Sequence, residues 1–406
     1  MKISMVCDHA DPLDRSGGTR SRQVAELSAG LARHGHGVTV YTRRDARSLP
    51  DEAIANAGYR VVYVPAGPAA PLPEGELLPL MGTFARYLHA RWSADRPTVV
   101  HAHFWMSGLA TQVAARRLGC PTVQTFHTLG VLERRHDGAA SPPDRIRIEE
   151  LLARGAGRII APCTDEVIDI ARMGPRRTHV SVVPYGVDPD LFSPNGYAAR
   201  KGARRRIVTG GRLVPHKGFD VAISALTDLP DVELVIAGGP PDGTPRTDPE
   251  AQRLRTLADT LGVSDRVALC GNLARERMPT LLRSADAVVC TPWYEPFGIV
   301  ALEAMACGVP VVAAAVGGLL DTVVHGVTGI LVPPRDPVAL AAELRRLFSD
   351  EPTRAALGAA GREHASARYS WDRIASDTAR AYQRLTAAPA EPAALEPGSR
   401  AGTTPV

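Results

Sequence analysis

Residues 287–315 restrict the fold more than any other part of this chain. An apolar run from Ala287 to Cys290 leads into Thr291-Pro292-Trp293-Tyr294, then Glu295, a Pro-Phe-Gly turn, and about ten good helix formers ending at Gly308. A second apolar run, 309–315, follows. Neither run alternates with polar residues, so both read as strands buried on their two faces. Two such strands joined through a helix predict a parallel sheet with helices packed against it. The uncharged stretch 304–320 does not read as a membrane span, because Gly308, Pro310, Gly317 and Gly318 interrupt it.

Glu295 and Glu303 stand in this unit with apolar residues between them. A helix starting near Phe297 sets Glu295 just ahead of the first turn and Glu303 about two turns inside, so both face one crevice. The free amides of Phe297, Gly298 and Ile299 open into the same space, where a helix N-terminus favours anionic or hydroxylated ligands. An ionised carboxylate accepts up to about four hydrogen bonds, which suits sugar hydroxyls. The alternative, a capping acid and a solvated helix residue, fits Glu295 better than Glu303, whose neighbours Ala-Leu and Ala-Met-Ala-Cys leave little polar face.

The same strand–helix alternation runs through the chain in two series. The first begins with strand 2–7, loop 8–18, helix 19–34 and strand 38–42, and continues through strands 61–64, 97–102, 121–125, 159–162 and 180–183. The second begins at 207–209. A parallel sheet places ligands outside the carboxyl ends of its strands, and the polar motifs fall there: Gly17-Gly18, His101-Ala-His-Phe-Trp-Met-Ser-Gly108, Phe126-His127-Thr128, and Gly211 to Gly218 with Arg212 and Lys217. Arg212 and Lys217 bracket a tight loop and offer two cations to a diphosphate. Lysine is rare here, only Lys2, Lys201 and Lys217, so a lysine inside a motif carries weight.

A chain of 406 residues exceeds one ordinary core. The expected organisation is an N-terminal domain over 1–195, a linker over 196–206, a C-terminal domain over 207–370, a closing helix over 371–386, and an Ala/Pro-rich disordered tail over 387–406. A net charge of +4 gives no argument for nucleic acid. Six scattered cysteines without a Cys-x-x-Cys pair fit reduced thiols in a cytoplasm, and the N-terminus lacks the apolar core of a signal peptide. His101, His103 and His127 lack a carboxylate or cysteine to complete a metal set, and Asp188-Pro-Asp190 reads as turn chemistry.

The two motifs Gly-Arg-Leu-x4-Lys-Gly (211–218) and Glu-Pro-Phe-Gly-x3-Leu-Glu-Ala-Met-Ala-Cys-Gly-x-Pro-Val-Val (295–312) resemble those of the retaining glycosyltransferases of family 4. Gly17-Gly18 and the 101–108 motif point to its sucrose-phosphate-synthase-like and mycothiol-pathway branch, and the resemblance covers residues 1 to about 386. It implies a GT-B fold: α/β, two facing Rossmann-like domains with parallel sheets and an interdomain cleft. It implies a nucleotide-sugar donor, with a uridine-linked glucose-type sugar expected, a small-molecule acceptor, no tightly bound cofactor and no obligatory metal.

By that resemblance, Arg212 and Lys217 hold the leaving diphosphate, Glu303 the ribose, and Glu295 with the amides of Phe297 and Gly298 the donor sugar. His127 would contact the sugar from the other side, and Gly17 and Gly18 would approach the phosphates.

The acceptor end departs from relatives that glycosylate inositol phosphate. Where they resemble Gly-Gly-x-Asn, this chain has Gly17-Gly18-Thr19-Arg20; their phosphate-binding Lys falls near Glu74, and their Tyr is Phe104. An acid in place of a cation repels phosphate. The expectation is therefore an unphosphorylated cyclitol, aminocyclitol or amino sugar of secondary metabolism, with Arg20, Glu74, Phe104, Thr128 and Arg145 near it. An inositol-phosphate or sucrose-phosphate type of transfer is the alternative, and a sugar-nucleotide epimerase is the reading from another class.

Overall fold

The structure, a computed structural model, describes residues 1–9, 11–14, 18–136, 142, 144–175, 179–239 and 247–387. Among them the chain forms two sheets. The first contains β1 (Lys2–Val6), β2 (Gly37–Arg43), β3 (Glu52–Ile54), β4 (Arg60–Val64), β5 (Val99–His103), β6 (Thr122–Thr125), β7 (Arg158–Ala161) and β8 (Val180–Val182), in the order β3-β4-β2-β1-β5-β6-β7-β8. Only the β3–β4 pair is antiparallel. The second contains β9 (Arg205–Gly210), β10 (Val232–Ala237), β11 (Val267–Gly271), β12 (Ala287–Cys290), β13 (Val311–Ala314) and β14 (Ile330–Val332), in the order β11-β10-β9-β12-β13-β14. Its pairs are all parallel.

Burial follows from the apolar runs. Every residue of β5, β12 and β13 is buried, as strands covered by helices on both faces require. Each sheet has an apolar cluster on either side, including Phe84, Trp92 and Phe126 against one face of the first sheet and Ile3, Val24 and Tyr382 against the other.

In both sheets the strand order reverses beside the first strand, between β1 and β5 and between β9 and β12. Loops leaving the two strands of such a pair part in opposite directions and leave a crevice outside their carboxyl ends. The crevice of one domain holds Gly18 and Arg20 after β1, and that of the other holds Gly211 to Gly218 after β9 and Thr291 to Gly298 after β12. Residues from both line a single cleft.

The domains are joined elsewhere than expected. Residues 196–206 pack on the C-terminal domain: the Ala199 amide donates to the Thr280 carbonyl (2.9 Å), Arg283 Nε donates to the Tyr197 carbonyl (2.9 Å), and Lys201 pairs with Asp286 (2.7 Å). Phe192, wholly buried, already belongs to that domain's core. The chain crosses at Tyr185–Val187 and returns beside it, where the Val187 amide donates to the Tyr369 carbonyl (2.7 Å). The closing helix, Trp371–Ala387, then lies on the N-terminal domain, with the Tyr382 hydroxyl 2.7 Å from His101 Nδ1. Ala387 ends this helix, and the rest of the expected disordered tail lies outside the described residues.

Candidate active site

The strand, loop and helix around β12 build the centre of the cleft. Gly298, at φ +86°, caps the helix Ile299–Ala306, and the preceding turn folds Glu295 back over the exposed amides. Glu295 Oε1 accepts from Gly298 N (3.2 Å) and Phe297 N (3.5 Å), and Oε2 accepts from Lys217 Nζ at 2.5 Å. Burial alone would raise the Glu295 carboxyl, but the Lys217 ammonium and the two amides outweigh it and hold the group below the ordinary carboxylate range.

Lys217 is aimed by the turn that follows β9. Gly218 sits at φ +64° with its Cα so close to β12 that an added Cβ would lie 2.0 Å from the Thr291 carbonyl oxygen. The Thr291 hydroxyl donates back to the Gly218 carbonyl at 2.7 Å. Only glycine fits there, and the contact ties the lysine loop to the loop that carries Glu295. Arg212, Lys217, Glu295 and Glu303 therefore line one cleft of about 830 Å³, together with Phe297, Gly298 and Ile299 from the same helix start.

Glu303 is 6 % exposed; burial pushes its carboxyl up, and the nearby Arg275 and Arg22 draw it only part of the way back. Arg275 Nη1 donates to Glu303 Oε1 at 2.6 Å.

The opposite wall carries Gly18, Arg20, Glu74, His127 and Thr128. Gly17 lies outside the described residues. His127, at φ +65°, has both ring nitrogens engaged, Nδ1 with the Tyr185 hydroxyl (2.7 Å) and Nε2 with His103 Nδ1 (3.0 Å). Burial keeps Tyr185 a phenol and keeps both imidazoles neutral, His103 down to about 3. A consistent assignment has Tyr185 donating to His127 and His127 to His103. A direct imidazole contact with a sugar then requires one of these bonds to be exchanged. Among the described residues no group of metal-ligating side chains of three or more comes together.

Phe104 and Arg145, expected at the acceptor, stand behind this wall and do not line it. Phe104 is wholly buried beneath the Arg20 guanidinium, 3.9 Å above its ring. Arg145 is held inside by Glu149 (2.7 Å) and by Glu133 (2.6 Å), whose other oxygen accepts from the Thr128 hydroxyl at 2.7 Å. A guanidinium paired with two carboxylates is anchored in the wall, one layer away from any ligand.

Residues 18–186 match the family described as Glycosyl transferase 4-like domain, and residues 198–364 match Glycosyl transferases group 1. The chain is 37 % identical over 412 residues to a D-inositol 3-phosphate glycosyltransferase of Xylanimonas cellulosilytica, covering 95 % of this chain and 97 % of that one. A protein of the same name from Stackebrandtia nassauensis is 34 % identical, over 94 % of this chain and 91 % of its own. The chain belongs to the group 1 glycosyltransferases, with the GT-B fold. The solved sucrose-phosphate synthase of Thermosynechococcus elongatus superposes with a TM-score of 0.81 at 29 % identity, over 95 % of this chain and 99 % of that one. An Anabaena protein solved with UDP and glucose shares the fold at a TM-score of 0.70 and 22 % identity, over 94 % and 98 % of the two chains.

Four residues in or directly behind this glycosyltransferase's cleft escaped sequence reasoning. Arg22 lies one helical turn beyond Gly18 and lines the wall. Arg275 holds Glu303, and Tyr185 bridges His127 and the Phe297 ring, 4.9 Å away. Tyr294 reaches from the C-terminal domain onto the core of the other and stacks on His136 at 4.4 Å. Tyr294 adjoins Glu295 in sequence and was within reach of motif reasoning; the spacing of the other three carries no signal.

Proposed function

We propose that this glycosyltransferase moves a hexosyl group, with retention, from a UDP-linked sugar to a phosphorylated cyclitol of the inositol phosphate type. The observation that carries the transfer chemistry is the Lys217–Glu295 ion pair at 2.5 Å beneath a helix N-terminus, in the same cleft as Arg212 and Glu303. Departure of the diphosphate concentrates negative charge on its bridging oxygen and positive charge on the sugar ring. Lys217 and Arg212 stabilise the first. Glu295 accepts sugar hydroxyls and orients Lys217, and these interactions strengthen as charge develops. Glu303 takes the hydroxyls of the ribose, and Gly18 lets the other domain's backbone approach the phosphates. No pair of acids at glycosidase spacing figures in this reading, which suits front-face departure and attack.

The expectation of an unphosphorylated cyclitol, aminocyclitol or amino sugar gives way to the alternative, because the relatives spanning nearly the whole chain are named D-inositol 3-phosphate glycosyltransferases. The charge argument against phosphate was too coarse. Glu74 is 42 % exposed and faces Arg20 at 3.6 Å, so its charge is partly offset and well solvated. Arg20 and Arg22 supply cations on the same wall, with Thr128 beside them.

A purified sample given UDP-linked glucose or N-acetylglucosamine tests this by UDP release and product mass. Inositol phosphate should be preferred over unphosphorylated inositol and over aminocyclitols by about tenfold or more in kcat/KM. Preference for the unphosphorylated acceptors would overturn the acceptor assignment. Absence of transfer to all of them, with the donor interconverted instead, would favour an epimerase.

A further inference from the structure

We infer that Arg275 is a positioning residue for the donor-binding carboxylate, fixing Glu303 in place and in its ionised form. The inference rests on the reading of Glu303 as the group that takes the nucleotide's vicinal hydroxyls.

Glu303 lies inside the helix Ile299–Ala306 and is 6 % exposed, an environment that favours the neutral acid. A neutral carboxyl competes poorly for two hydroxyl donors, because it has given one oxygen to a proton. Arg275 opposes this. Its Nη1 donates to Oε1 at 2.6 Å, while Oε2 has no hydrogen-bond partner among the described residues and Glu303 borders the cleft. One oxygen is thus anchored to the protein and the other remains for ligand.

The cation is itself held. Its guanidinium lies 4.7 Å from the ring centroid of Phe192, a wholly buried side chain of the segment that follows the domain crossing. A lysine cannot reproduce both contacts, the guanidinium over the ring and the directed N–H. Arg275 does not border the cleft, so it acts through Glu303 and not on the ligand.

Other charges facing the pair come from Arg22 and Glu26 on the helix Thr19–Arg33, from Asp188 beside Glu26, and from Glu276 next in the chain. Arg22 belongs to the opposite domain, and its charge lowers the cost of ionising Glu303 as well. It is the only other cation acting on that carboxyl among the described residues, so removing Arg275 leaves one of two.

The test compares Arg275→Met, Arg275→Lys and Glu303→Gln by UDP-binding calorimetry and by donor and acceptor KM between about pH 6 and about pH 9. Arg275→Met should raise donor KM and the UDP Kd about tenfold near pH 7, leave acceptor KM within about twofold, and regain donor affinity as pH rises. Arg275→Lys should fall between the two, and it keeps the question open to measurement if the Met variant fails to fold. Donor affinity and its pH profile unchanged in both Arg275 variants, with Glu303→Gln impaired, would overturn the positioning role alone. A uniform fall in kcat and melting temperature, with no pH-dependent loss of donor affinity, would also overturn it by marking Arg275 as structural. An unimpaired Glu303→Gln would remove the donor-site reading beneath it.

Discussion

Lys217 and Glu295 stand 78 positions apart in the chain and form an ion pair at 2.5 Å, with both side chains largely withdrawn from solvent. A pair this buried gains little net stability, since desolvation opposes the Coulomb term. What it supplies is a fixed ammonium beside a fixed carboxylate at the mouth of a helix. Lys217→Ala should lower kcat about a hundredfold or more while changing donor KM much less, since on the proposed reading the lost interaction is strongest with the departing diphosphate. Steady-state kinetics with varied donor checks this; a pure KM effect would place Lys217 in ground-state binding. Glu295 titrates below its ordinary range, so the pair is present above that range and is lost only as pH falls through the lowered value. Neutral-pH activity should not show a limb from this group.

Gly218→Ala should damage the same centre from a distance. The position needs φ +64°, and the new methyl would meet the Thr291 carbonyl oxygen at 2.0 Å. Strain of this kind costs about 1–3 kcal/mol, and relief requires the lysine loop to move off β12. A lowered melting temperature together with weakened UDP binding is expected. A melting temperature equal to that of the parent protein would mean that the loop relaxes without consequence.

Much of the cleft's C-terminal wall could be read from the chain because its motifs and its packing coincide. Unbroken apolar runs specify β12 and β13, and an acid lodged between them has to be explained by a ligand or a partner. Arg275 could not be singled out, since it is one arginine in the polar turn Ala274-Arg275-Glu276-Arg277 and only the third dimension turns it onto Glu303. The basic run 200–206 looked like a solvated linker because its counter-charges, Asp286 and Asp265, arrive some sixty to eighty-five residues later. Arg145 looked available to a ligand, yet Glu149 one helical turn on was a local sign that it would be paired.

Glu166 should make stability fall with rising pH. It is 3 % exposed in the helix Thr164–Arg172, and neither carboxylate oxygen has a hydrogen-bond partner among the described residues. Burial first, then the charges of Glu149, Asp169 and Asp165, push it up to about 8 from an ordinary 4.5. The sign follows from proton uptake: the folded form keeps a proton that the unfolded chain releases. The full stability is present below the unfolded value and is lost as pH rises through about 8. Glu166→Gln stays neutral, so it should be more stable than the parent protein near pH 9, on the order of a few kcal/mol, and close to it near pH 5. Thermal melts of both proteins at the two pH values check this. An equal gap at both would show that Glu166 is not the titrating group.

Gly186→Val should alter the motion of the domains and spare the chemistry. Gly186 lies in the first crossing, and a Cβ there would come within 2.5 Å of the Trp371 ring, which opens the helix returning from the second crossing. Two strands of chain join the domains, and at this point they touch. A branched side chain between them must push the crossings apart, changing the arrangement from which the cleft closes on its donor. Because Lys217, Arg212, Glu295 and Glu303 all lie in the C-terminal domain, nucleotide binding to that domain should survive within about threefold. On the proposed reading turnover also draws on the opposite wall, with His127 and Arg20, and should fall about tenfold or more. Calorimetric UDP binding measured beside kcat separates the two effects. Parallel loss of both would mean that the substitution disturbs the C-terminal domain itself.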